Sequence, residues 1–145
     1  MSREQSPLER EILSGRPLVT FTSGDSMEPL LFDRDTRVVI QKAEGTLKKG
    51  ELPVYRRPSG QFVMHRIIRV DEANYYTRGD NRYGIERVPK EWVLGVVTEI
   101  YRKDRHIFVT DRSYRFYVTM WGAIYPIRYL LYAVKRVREK WIRKI

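Results

Sequence analysis

The sequence predicts a mostly β fold: a small folded-sheet or barrel body with a short N-terminal helix and a basic amphipathic C-terminal helix. Three observations carry this expectation. Short runs rich in Val, Ile, Thr, Tyr and Phe recur, separated by Gly, Pro, Asn or Asp turns at intervals of about 8 to 15 residues. After Asp111 the apolar spacing changes to steps of three, four and seven, which is a helical pattern. Positive charge gathers in that same tail, where residues 112–145 hold nine Lys/Arg and one acid, Glu139, or about +8 of the net +10.

The elements follow in order. Ser6 is placed to cap a helix, Pro7 suits its first position and Glu9 completes a capping box. This helix stops near Ser14-Gly15, with Leu8, Ile12 and Leu13 turned to the body. Strands are expected at 18–21, 37–40, 52–56, 61–70 (the longest), 73–78, 92–101 and, shorter, 105–109. Turns fall at Ser23-Gly24-Asp25-Ser26, at Lys48-Lys49-Gly50-Glu51, at Pro58-Ser59-Gly60 and at Gly79-Asp80-Asn81-Arg82, with a short helical turn at 29–31. In the tail Tyr117, Met120, Ile124, Ile127, Leu131, Val134 and Trp141 mark one apolar stripe, and Pro126 should kink or split the helix. The expected division is an N-terminal helical segment (1–16), a β body (17–110) and a basic amphipathic tail (111–145).

Composition removes several classes of function. A 145-residue chain that is 42% hydrophobic and 32% charged suits one globular core rather than a membrane-embedded bundle. Without cysteine there is no disulfide, no thiolate zinc site and no cysteine nucleophile; a reducing compartment fits. No metal or cofactor is expected. No run of 18 apolar residues occurs, and the best stretch, 116–134, is interrupted by Gly122, Pro126 and Arg128. The first ten residues are polar and lack a signal-peptide core, so the expected location is cytoplasmic, peripheral at the membrane if the tail binds there. The tail reads equally as a helix lying on an anionic membrane surface and as one packed on the body or on a second copy. Nucleic acid is a poor candidate partner: without the tail the body carries only about +2, and residues 1–17 are too few for a helix-turn-helix.

Three short segments carry chemistry when taken together: Gly24-Asp25-Ser26-Met27-Glu28-Pro29, His65-Arg66-Ile67-Ile68 and Gly79-Asp80-Asn81. A serine hydroxyl is a weak nucleophile and needs a neighbouring base. Histidine suits that task because its ordinary pKa lies near working pH. An acid on the far ring nitrogen would orient the imidazole. Gly24 permits a turn that presents Ser26 and aims backbone N–H groups at an oxyanion. Of the two histidines, His65 lies in an apolar run, whereas His106 sits in the polar turn Asp104-Arg105-His106 and makes a poorer base. Lys42, Lys48 and Lys49 lie in polar stretches suited to solvated surface, which ranks them low as bases.

Gly24 to Pro29 resembles the nucleophile box of the signal peptidase I and LexA superfamily, with Glu28-Pro29 closer to the signal peptidase branch. Val63-Met64-His65-Arg66-Ile67-Ile68 resembles the histidine version of the base box, as in endoplasmic-reticulum and archaeal signal peptidases. Thr77-Arg78-Gly79-Asp80-Asn81 is similar to the family's Gly-Asp-Asn box, and 92–97 to the strand after it; the matches run in family order from Thr20 to Tyr101. The resemblance implies a mostly β serine peptidase with Ser26 as nucleophile, His65 as general base and Asp80 as the assisting acid. It further implies an oxyanion site and substrate floor built from Ser26, Asp25 and Met27, and a peptide or protein substrate such as a leader or signal-like peptide. Four departures bear on this. Gly24 stands where many signal peptidases have a serine, and Asp25 precedes the nucleophile. The second acidic position offers only Glu86, which leaves the assisting acid open between Asp80 and Glu86. The family's usual N-terminal anchor is not expected in the polar first ten residues. The competing expectations are an inactive interaction module whose basic tail binds anionic membrane or nucleic acid, and a self-cleaving protein.

Overall fold

Ser6 accepts a hydrogen bond from the Glu9 N–H at 3.1 Å and starts helix α1 (Pro7–Leu13), as its capping pattern requires. The structure, a computed structural model, describes residues 4–145 and divides at Asp111 into a body, which includes α1, and a C-terminal unit. Ile12, fully buried, sits over the middle of the main sheet, and the Glu9 carboxylate accepts from Arg56 at 2.7 Å.

The body is mostly β, as expected, and its larger sheet curls into a half-barrel. Among the described residues nine strands form where six or seven were expected: β1 (Leu18–Phe21), β2 (Arg37–Lys42), β3 (Pro53–Arg56), β4 (Phe62–Met64), β5 (Arg66–Val70), β6 (Asn74–Arg78), β7 (Glu86–Pro89), β8 (Val93–Arg102) and β9 (Arg105–Phe108). The larger sheet runs β1-β2-β8-β3-β4, with β9 also on β8; the smaller runs β5-β6-β7, and every pairing is antiparallel. The register slips between Val39 and Ile40, between Val54 and Tyr55, and between Ile67 and Arg69. Such irregularities bend a strand and increase its twist, which suits a curled sheet.

Two expectations need correction. The run 61–70 is not the longest strand. It is two strands, β4 in the larger sheet and β5 in the smaller, parted at His65, and β8 is the longest. Alternation along a chain does not say which neighbour each strand pairs with, so the change of sheet was invisible. Strand β7 was missed because Glu-Arg-Val-Pro carries only one buried apolar side chain, Val88.

One part of the core joins strands of the two sheets. Tyr55, Val63, Ile67, Tyr75, Val88 and Leu47 form one buried cluster, edged by Trp92, Val93 and Val96. Tyr55 and Tyr75 keep their hydroxyls satisfied, Tyr55 against Thr77 at 3.2 Å and Glu86, Tyr75 by accepting from the Leu47 N–H at 2.8 Å. A buried phenol without a partner would cost the fold.

The C-terminal unit is two helices, α2 (Arg112–Ala123) and α3 (Tyr125–Arg143). Pro126 falls in the first turn of α3, where its missing N–H costs nothing, so it splits the helix as expected. Arg128 stacks over Trp121 at 3.9 Å and ties α3 to α2.

Gly95 gives a direct test of packing on β8. A Cβ there would lie 2.6 Å from Ile40 Cγ2, 2.8 Å from the Gln41 carbonyl and 3.0 Å from Ile12 Cγ2. Overpacking of this kind costs about 1–3 kcal/mol. Gly95→Ala should lower the urea midpoint accordingly, with the slope unchanged.

Candidate active site

The nucleophile turn begins where β1 ends. The Gly24 N–H donates to Asp33 Oδ1 at 2.8 Å, and Gly24 has φ +81°, a backbone angle that favours glycine. The chain then closes a helical turn, with the N–H groups of Leu30 and Leu31 donating to the Met27 carbonyl at 3.0 and 2.9 Å. Met27, Leu30 and Leu31 are buried and anchor it. Ser26 stands at the start of this turn. Among the described residues its own N–H donates to no protein group.

The Gly79-Asp80-Asn81 loop clamps the turn from the other side. The Asn81 N–H donates to the Ser26 carbonyl at 2.8 Å, and Asn81 Nδ2 donates to the Asp25 carbonyl at 3.1 Å. The Asp80 N–H donates to Met27 Sδ at 3.3 Å. A Cβ at residue 79 would lie 2.5 Å from the Ser26 carbonyl oxygen, so only glycine allows this approach.

His65 occupies the one-residue junction between β4 and β5. Its Nε2 lies 3.2 Å from Ser26 Oγ. With the proton on Nδ1, Nε2 accepts the hydroxyl proton of Ser26. Burial pushes the His65 pKa below its ordinary 6.5; the Glu86 and Asp80 charges oppose that shift, and Arg57 and Arg82 reinforce it. The imidazole is therefore neutral near pH 7, the state a base needs.

Neither acid weighed as the assistant, Asp80 or Glu86, makes a hydrogen bond to His65 among the described residues. Asp80 is buried, and its carboxylate accepts from Arg66 Nε and Nη2, both at 2.8 Å. Arg66 is buried as well and donates through Nη1 to the Gly50 carbonyl at 2.9 Å. A two-pronged guanidinium satisfies both carboxylate oxygens at once, so Asp80 acts on His65 through its charge alone. Glu86 is engaged elsewhere too: it accepts from Tyr55 Oη and, at 2.9 Å each, from Arg57 Nε and Nη2. Burial resists its ionisation, but the Arg57 and Tyr55 bonds prevail and hold its carboxyl below the usual range. Among the described residues the only side-chain hydrogen bond of His65 is the one to Ser26.

Asp25 points outward and pairs with Arg82, whose hydrogen bond and charge hold the carboxyl below its ordinary range. Met27 lines the cleft and is almost wholly buried. His106 Nε2 donates to Glu99 Oε1 at 2.8 Å, and the ring stacks on Tyr101. Sequence reasoning missed Arg66 as the residue that holds the site together, although it directly follows His65.

Ser26 and His65 open into a cleft of about 470 Å³. One wall is residues 20–26, continuing β1; the other is residues 61–65, containing β4. These are the two end strands of the larger sheet. Leu31, Ile40 and Val54 give the cleft an apolar base. No group of three or more His, Asp or Glu side chains suited to a metal ion occurs among the described residues. The chain matches no family model, and a search of curated proteins finds no match.

The Arg66–Asp80 pair should be costly to break from one side. Asp80→Ala removes the carboxylate partner of a buried guanidinium and should destabilise by about 3–5 kcal/mol, whereas Arg66→Met with Asp80→Leu should recover much of that loss. Urea denaturation of the three proteins measures the difference.

Proposed function

We propose that this chain is a serine endopeptidase, similar in mechanism to the histidine-type signal peptidases, that cleaves an extended peptide through a Ser26 acyl-enzyme. The observation that carries the reading is the 3.2 Å contact of a neutral His65 Nε2 with Ser26 Oγ inside an open cleft. Ser26 Oγ attacks the scissile carbonyl carbon while His65 takes its proton. The Ser26 N–H, free of any protein acceptor among the described residues, is available to the oxyanion. Collapse of the tetrahedral intermediate breaks the C–N bond, and His65 returns the proton to the leaving amine. Water, activated by the same imidazole, then hydrolyses the ester and frees Ser26.

The shape of the cleft supports an extended substrate. Its walls are end strands whose outer backbone groups can hydrogen-bond a peptide laid between them. Leu31, Ile40 and Val54 favour apolar side chains beside the cut bond. A leader or signal-like peptide has this chemistry.

A peptide-library digest read by mass spectrometry tests the proposal. Wild type should cleave, and Ser26→Ala and His65→Ala should each lose about 10⁴-fold or more in kcat while keeping the wild-type circular dichroism spectrum. Equal turnover by purified Ser26→Ala would overturn the mechanism.

The pH profile follows from the His65 shift. Protonation removes the base, so kcat/KM should fall as pH drops through a midpoint below 6.5. Stability moves the same way. The unfolded chain protonates His65 near 6.5 and the fold resists it, so this contribution is full above 6.5 and lost as pH falls through the depressed value. An acid limb above 6.5 would contradict a buried neutral base.

A further inference from the structure

Helix α3 carries an exposed apolar face. Ile127, Leu130, Leu131, Val134, Val137 and Trp141 follow one another at steps of one to four residues, and each is more than half exposed. At about 100° per residue they fall within an arc of roughly 120°. Cations border this arc on both sides. Arg128 and Lys135 lie along one flank, Lys140 and Lys144 along the other, and Arg136 and Arg143 lie opposite. Arg138 falls within the arc, where its long stem can lie along apolar surface while its head reaches polar groups. The sole acid of the unit, Glu139, sits 4.0 Å from Lys135.

We propose that this face of α3 lies on an anionic lipid surface, with the apolar arc sunk to the acyl boundary and the flanking cations among the headgroups. The charge distribution selects this occupant. A second copy laid face to face would bring together two units of about +8 each, with one acid apiece to offset them. An anionic bilayer accepts the same face and neutralises the flanks. The helix does not cross: no helix among the described residues is long and apolar enough to span a membrane. The inference does not depend on the peptidase reading, because no residue of the catalytic pair takes part.

Co-sedimentation of the full chain with vesicles tests it. One set is pure phosphatidylcholine; the other is equal parts phosphatidylcholine and phosphatidylglycerol. Binding to the anionic set should be about tenfold or more the tighter and should weaken as salt rises. Leu131→Asp with Val134→Asp should abolish binding without loss of helicity, since both positions are exposed. Lys140→Glu with Lys144→Glu, which leaves the apolar face intact, should remove the preference for anionic vesicles. Ser26→Ala should bind as wild type does, so loss of peptidase activity leaves this result untouched. Equal binding to both vesicle sets would overturn the proposal, as would no binding to either. A dimer in solution that Leu131→Asp with Val134→Asp dissociates, with no vesicle binding, would assign the face to a second copy instead.

Discussion

The two-pronged ion pair between Arg66 and Asp80 is the interaction on which the candidate site depends. Both side chains are buried, and both carboxylate oxygens are taken by one guanidinium. Burying such charges is expensive, and the planar fork meets that cost by satisfying several hydrogen bonds at once. The consequence is positional. With Asp80 held, Gly79 lies against the Ser26 carbonyl and Asn81 bonds the backbone on both sides of the nucleophile turn. Arg66 also bonds the Gly50 carbonyl, so one side chain joins the 48–51 turn, strand β5 and the clamp loop.

His65 owes its place to the junction between sheets. The chain leaves the larger sheet after Met64 and enters the smaller one at Arg66. Adjacent residues therefore do different work: His65 reaches Ser26 while Arg66 anchors the loop that holds Ser26. The acids near His65 are tied to cations, Asp80 to Arg66 and Glu86 to Arg57, and burial prevails over their pull on the imidazole proton. A neutral ring follows without a carboxylate bonded to Nδ1.

Body and tail follow different physics. The body buries its apolar side chains between two sheets and under α1, and its buried charges, Glu9, Arg66 and Asp80, are paired. The tail leaves one whole face of α3 apolar and exposed and carries nearly all the net charge. Exposed apolar faces of that extent mark surfaces meant to meet something else.

The sequence by itself determined the mostly β body, the capped first helix, the split at Pro126 and the pairing of Ser26 with His65 as chemical candidates. Each of these is local: a cap, a proline, a turn signal or a residue type suffices to read it. What only the tertiary structure decided is non-local. Strand pairing divided 61–70 between two sheets, and the contact of Ser26 with His65 spans 39 residues of chain. The partner of Asp80 was equally hidden, because a carboxylate near both an imidazole and a guanidinium goes to whichever the fold brings into bidentate reach. Residues 66 and 80 meet only when β5 and β6 pair, and that register is set by the packing of Ile67, Tyr75 and Val88 into the shared core.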